Sequence, residues 1–127
     1  MHSVLRIWGL DNAQILSLTD IDLLLYPNTT IEDCKHIRGD TGYSFTLSEN
    51  DNWNDHHEDV FQALKRLCPV LNDAKKLGAS FEIDTGIYED DYNSRPITSF
   101  YWSAELLQLA SKFSILFMFS IYNIIDC

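Results

Sequence analysis

The stretch GYSFTLSENDNWNDHHEDVFQALKRLCPVLNDAKKLGASFEIDTGIY, residues 42–88, decides the fold. It opens with strict alternation. Tyr43, Phe45 and Leu47 fall on one face and Ser44, Thr46 and Ser48 on the other, the period of a half-buried strand. It closes the same way, with Phe81 and Ile83 on one face and Glu82 and Asp84 on the other. Between these ends Val60, Phe61, Leu64, Leu67, Cys68 and Leu71 recur at helical spacing. Asp55 with Glu58 three residues on has the form of a capping box, which predicts a helix beginning at Asp55. An acid-rich first turn suits the positive end of the helix dipole. Lys75 and Lys76 lie in the last turn and Gly78 just beyond it, a C-terminal stop. Pro69 removes one backbone donor and predicts a kink or a restart.

Working outward, residues 4–8 (VLRIW) suit a strand that Gly9 ends. Asp11 or Asn12 caps a short helix reaching Leu18. Residues 21–26 (IDLLLY) read equally as a strand or a helix end, and residues 28–42 as a loop. On the other side, residues 89–96 (EDDYNSRP) form a polar hairpin or open loop, and residues 97–102 return as a strand. Ser103 caps a helix over residues 104–113 with Leu106, Leu107, Leu109 and Ala110 as its apolar face. Residues 115–125 (ILFMFSIYNII) fall short of the roughly 20 apolar residues that a membrane helix needs. They predict instead a central strand buried on both faces. The expected fold is α+β, a two-layer α/β sandwich. Its mixed, mostly antiparallel sheet carries two to three helices, with residues 1–127 as a single globular domain.

The chain of 127 residues is 46% hydrophobic and 13% aromatic, enough for one packed core, yet its formal charge is −10. Two runs hold acid without any Lys or Arg. The first, residues 49–59, contains Glu49, Asp51, Asp55, Glu58 and Asp59; the second, residues 82–91, contains Glu82, Asp84, Glu89, Asp90 and Asp91. Most of this acid is expected at the surface, because an unpaired buried carboxylate is too costly. Such a field attracts basic proteins and repels nucleic acid and anionic lipid. Cys34, Cys68 and Cys127 are odd in number and widely spaced, with no CxxC or zinc-ligand cluster. Without a secretory leader in the opening residues, a reducing cytoplasm is the expected compartment.

No constellation competes with the acid. His56 and His57 sit among carboxylates, but adjacent helical residues point about 100° apart and position 60 is Val60, so both are expected to be surface histidines. Paired carboxylates for glycoside chemistry need a cleft and one raised pKa, whereas these acids fall in loops and a helix start. GxSxG, GxGxxG and P-loop motifs are absent from the sequence, Cys34 near His36 lacks an orienting third group, and Cys68 belongs to the core. The expectation is a non-enzyme with no cofactor, no catalytic residue and no metal. A small metal-dependent enzyme using the region from His56 to Asp59 is one alternative. A structural protein that homo-oligomerises through a sheet edge is the other. Trp53 and Tyr92 lie within the acidic stretches and read evenly as core edge or as interface anchors, while Tyr88 reads as core.

The segments SVLRIWG (3–9), LLLYP (23–27), GYSFTLSENDNW (42–53), EDVFQALKRLCPVLNDAKKLG (58–78) and SAELLQLASKFSILFMFSIYN (103–123) together carry a resemblance. In them the chain resembles, over nearly its whole length, an uncharacterised family of small bacterial proteins catalogued as a domain of unknown function. That family brings no catalytic residues to transfer. Its last strand often ends in an Asp-x-Tyr element, where this chain has Ser120-Ile121-Tyr122. In size and charge the chain is also similar to immunity proteins of contact-dependent and other polymorphic toxin systems. That similarity implies a cytoplasmic immunity protein that occludes the basic cleft of one cognate toxin domain, a nuclease foremost. The expected contact residues are Asp51, Trp53, Asp55, Glu58, Asp59, Asp84, Glu89, Asp90, Asp91 and Tyr92. The expected partner is a basic toxin domain, with no nucleic acid and no membrane, and the free chain is expected as a monomer or weak homodimer.

Overall fold

A computed structural model describes residues 1–18, 32–35, 41–88 and 99–122. Five strands form one sheet: β1 (His2–Trp8), β2 (Glu32–Lys35), β3 (Thr41–Ser48), β4 (Ser80–Tyr88) and β5 (Leu116–Tyr122). Their order is β2-β3-β1-β4-β5. Neighbours run antiparallel except β4 and β5, which are parallel. Parallel neighbours need a crossover, and the helix preceding β5 supplies it. The described helices are α1 (Asn12–Leu16), α2 (Trp53–Lys76) and α3 (Ala104–Ser111). The α+β sandwich with a mixed, mostly antiparallel sheet is therefore the fold.

Alternation decides which face meets the helices. Leu5 stands opposite Phe45 on one side and Ile83 on the other, and Ile7 opposite Tyr43 and Phe81. These side chains are buried in one cluster with Val60, Leu64, Leu67 and Leu71 of α2, Ile15 of α1 and Leu106 of α3. Each fully buried Leu, Ile or Phe contributes about 1.5–3 kcal/mol, so this layer is the main source of stability.

α2 starts two residues earlier than the sequence predicts. Its cap is Asn52, whose Oδ1 accepts from the Asp55 N–H at 3.1 Å. Asp55 is thus inside the first turn and the Asp55–Glu58 capping box does not form. A capping box does close α1, where Asp11 accepts from the Gln14 N–H at 2.8 Å and Gln14 Oε1 accepts from the Asp11 N–H at 3.0 Å. Pro69 neither ends nor restarts α2, which runs on to Lys76 with Pro69 on its exposed side. Past the C-cap, Gly78 holds φ +90 while its N–H bonds the Lys75 carbonyl and the Ala79 N–H bonds the Ala74 carbonyl. This Schellman closure needs the left-handed conformation that glycine adopts without strain.

Three further expectations meet corrections. The central strand expected within residues 115–125 is not central: β5 is the outermost strand among the described residues, and most of it is exposed. Period alone cannot separate an apolar edge from an apolar centre. Residues 28–42, read as a loop, contain β2. Residues 99–102, read within a strand, are irregular and lead into α3, which starts from Ser103, the cap the sequence predicts. The readings of residues 21–26 and 89–96 lie outside the described residues.

Candidate functional site

The start of α2 gathers the first acidic run against a cluster of aromatic rings. Trp53 is half-buried, and its Nε1 donates to the Tyr101 carbonyl at 3.1 Å. That bond ties the irregular segment before α3 to the first turn of α2. Trp53 also stacks on the His56 ring, 5.7 Å between centroids and 13° between planes, and meets Phe100 edge-on. Trp102 lies at 5.0 Å from Trp53, 5.7 Å from His57 and 5.5 Å from Phe117. A second tie is the Ser103 N–H, which donates to His57 Nε2 at 2.9 Å and orients that ring.

This packing leaves Tyr101 63% exposed at the rim. Asp55, Glu58 and Glu105 are exposed beside their helix starts, and Asp51 is exposed in the turn before α2. Their charges face water and carry little stability, so they are available to a partner. Asp51 accepts from the Met1 amino group at 2.9 Å, and Glu58 accepts from Gln62 Nε2 at 2.7 Å. Exposed contacts of this kind exchange readily for others.

Beneath the acidic rim lies a buried polar chain. His56 and Ser3 are both 0% exposed, contrary to the expectation of a surface histidine. Ser3 Oγ lies 2.6 Å from His56 Nε2 and 2.7 Å from Thr85 Oγ1, and His56 Nδ1 lies 2.8 Å from the Asn50 carbonyl. The carbonyl can only accept, so Nδ1 carries the proton. Nε2 then accepts from the Ser3 hydroxyl, which accepts in turn from Thr85. Burial pushes the His56 pKa below its ordinary value, outweighing the Asn50 hydrogen bond that acts the other way. A serine, a histidine and an orienting acceptor share the connectivity of a nucleophile and its base. Their complete burial leaves a substrate no approach, and the chain functions as a brace linking β1, β4 and α2.

Asp84 is not at the surface, where the sequence reading expects most of the acid. Asp84 and Glu82 are buried at 7% and 5% exposure, on the sheet face away from the core helices. Arg6 Nη1 donates to Glu82 Oε1 and to Asp84 Oδ2, each at 2.9 Å, and Ser120 Oγ donates to Asp84 Oδ1 at 2.7 Å. Burial alone would lower the Arg6 pKa, but the hydrogen bonds and charges of Asp84 and Glu82 raise it on balance. The cluster ties β1, β4 and β5 together. Asp59 is also engaged: it is half-buried and accepts from Ser48 Oγ at 2.8 Å.

Of the expected contact residues, the structure brings together Asp51, Trp53, Asp55 and Glu58. It directs Asp59 inward and places Asp84 on the other side of the sheet. Glu89, Asp90, Asp91 and Tyr92 lie outside the described residues. Tyr101, Trp102 and Glu105 were missed by the sequence reading. A signal for them existed in residues 99–103 (SFYWS), three aromatics immediately before a serine cap. Among the described residues, no group of three or more His, Cys, Asp or Glu side chains is placed to hold a metal ion. Among them too, no helix is long and apolar enough to cross a membrane. The Cys68 thiol, half-buried on α2, donates to the Leu64 carbonyl at 3.3 Å, and burial raises its pKa.

Fold and site define a small α+β domain with a helix-covered sheet, a buried polar brace and an acidic, aromatic rim. Residues 6–124 match the family described as Domain of unknown function (DUF4279). The chain belongs to that family. No curated protein and no solved structure shows significant similarity to it.

Proposed function

We propose that this chain is an immunity protein that binds one basic toxin domain, a nuclease foremost, and blocks its active-site cleft without chemistry. The observation that carries the proposal is the rim at the start of α2. There Asp51, Asp55 and Glu58 are exposed in the turn before α2 and its first turns, Glu105 is exposed at the start of α3, and Trp53 ties the exposed Tyr101 to α2 through its backbone carbonyl. A nuclease cleft is built to receive phosphate, and carboxylates carried on helix starts offer it the same sign of charge. Long-range attraction from a chain of charge −10 sets the encounter rate. Affinity comes from a few desolvated anchors, for which an aromatic ring held by its own backbone is well suited because little freedom is lost on binding.

The contact set is narrower than the sequence suggests. Asp59 and Asp84 are committed to intramolecular hydrogen bonds, so the proposal rests on Asp51, Asp55, Glu58, Glu105 and Tyr101, with Trp53 behind them. The test is capture of partners by the tagged chain from its native cells, washed at low and then at high salt, with mass spectrometry of what remains. The proposal expects one basic partner, retained at equal stoichiometry through the high-salt wash. A preparation that retains no partner at low salt contradicts it.

A further inference from the structure

The last strand supplies none of the proposed toxin-contact residues, although its Phe117 and Phe119 pack on Trp102 behind the rim. Among the described residues β5 is the outermost strand of the sheet, and Leu116, Met118, Phe119, Ile121 and Tyr122 are 59%, 38%, 43%, 64% and 51% exposed. Next to it Tyr88 is 43% exposed and stacks on Tyr122 at 5.3 Å. Edge strands are normally protected by charge, proline or a bulge. β5 (LFMFSIY) contains no charged residue and no proline, and its pairing with β4 runs without a register break from Leu116 to Tyr122. Residues 113–125 form the longest uncharged run of the chain.

We propose that this edge pairs with the same edge of a second copy, extending two five-stranded sheets into one. A twofold axis requires the two β5 strands to run antiparallel. Pairing all seven residues then centres the register on Phe119. Phe119 faces its own copy, Phe117 faces Ile121, Leu116 faces Tyr122, and Met118 faces Ser120. Every pair keeps its side of the sheet, because side chains alternate with period two. Three of these four pairings join apolar or aromatic residues, the pairs that stabilise antiparallel strands most.

Charge selects the occupant. Two copies of a chain at −10 repel wherever their acids meet, and β5 is a strand along which they can meet with no acid of its own. A basic partner would find no ion pair on this strand.

The test is sedimentation velocity of the whole chain across a concentration series. It is repeated with Leu116→Lys and Ile121→Lys, which place charge at exposed positions on opposite faces of the edge. The expected result is a rise from 14.7 kDa towards twice that mass as concentration increases, abolished in both variants with circular dichroism unchanged. A wild-type chain that stays at monomer mass up to its solubility limit overturns the proposal, as does a dimer that both lysine variants preserve. Register is tested by oxidation of single-cysteine chains in which Cys34, Cys68 and Cys127 are replaced by alanine. Phe119→Cys should cross-link to its copy, since directly opposed residues in antiparallel strands lie within disulfide reach. Ile121→Cys should not, and equal cross-linking of the two overturns the register.

Discussion

Replacing His56 with alanine tests the buried brace that supports the rim. In the folded chain the imidazole links the Ser3 hydroxyl and the Asn50 carbonyl, and through Ser3 it reaches Thr85. His56→Ala removes both bonds. Asn50 is exposed, so water can replace the lost donor there. The cost falls on Ser3, 0% exposed, whose proton loses its acceptor in a site that excludes water. Leaving one buried group unsatisfied costs about 1–3 kcal/mol, and a ring-sized void adds about 1–2 kcal/mol. The expected loss is about 3 kcal/mol, a large share of a domain's usual stability of about 5–15 kcal/mol. For a chain of 127 residues this lowers Tm by roughly 10 °C. Urea unfolding followed by circular dichroism measures it. Ser3→Ala removes the other end of the contact and should cost less, about 1–2 kcal/mol, because no ring-sized void is left. A loss below about 0.5 kcal/mol for His56→Ala, the range of an ordinary surface substitution, would mean that the brace carries no stability.

The same histidine predicts a pH dependence. Burial holds its folded pKa below the ordinary value of 6.5, so between the two values the unfolded chain binds more protons. The stabilising contribution is complete above about pH 6.5 and is lost as pH falls through that value towards the lower folded pKa, with a limiting slope of about 1.4 kcal/mol per pH unit. Unfolding free energies of wild type and His56→Gln, compared from pH 7.5 to 5, should diverge only below about 6.5; parallel curves would contradict the assignment. Gly42 faces Trp8 across the β1–β3 pair, and a Cβ there would overlap the indole ring, so Gly42→Ala should cost about 1–3 kcal/mol in the same urea assay. Arg6→Ala leaves two buried carboxylates without their cation and should cost about 3 kcal/mol at neutral pH, with part of the loss recovered in Arg6→Ala/Asp84→Asn. Ser114 holds a left-handed φ of 52 between α3 and β5, and Ser114→Gly should raise stability by about 0.5–1 kcal/mol, measured as a shift in urea midpoint.

Sequence periodicity revealed the helix-facing layer because side-chain direction alone sets it. Tyr43, Phe45, Leu47, Phe81 and Ile83 were legible in this way, and so was the stripe along α2. His56 belonged to that stripe: His56, Val60, Ala63 and Leu67 follow at spacings of four, three and four, and all four are buried. Its polarity concealed a position that its spacing disclosed. Glu82 and Asp84 were harder to place. Acid in an unopposed run reads as solvated, and the arginine that neutralises them stands more than seventy residues away in sequence. Only the antiparallel register of β1 and β4, which sets Arg6 opposite Glu82, joins them. The edge position of β5 depends on strand order, which an apolar run does not encode. Tyr101 and Trp102 were hidden for a related reason, since a β-prone composition was overridden by the bonds from Trp53 and His57 that hold the segment as a loop.

Neutralisation of a basic toxin domain by the rim at the start of α2 is read out by a growth assay. The domain captured by the tagged chain is expressed alone in a test cell, then with the wild-type chain, then with a folded Asp55→Lys/Glu58→Lys/Tyr101→Ala variant. Neutralisation by the rim means arrest by the domain alone, restored growth with the wild-type chain, and arrest again with the variant. Growth restored equally by the variant, or not restored by the wild-type chain, would contradict it.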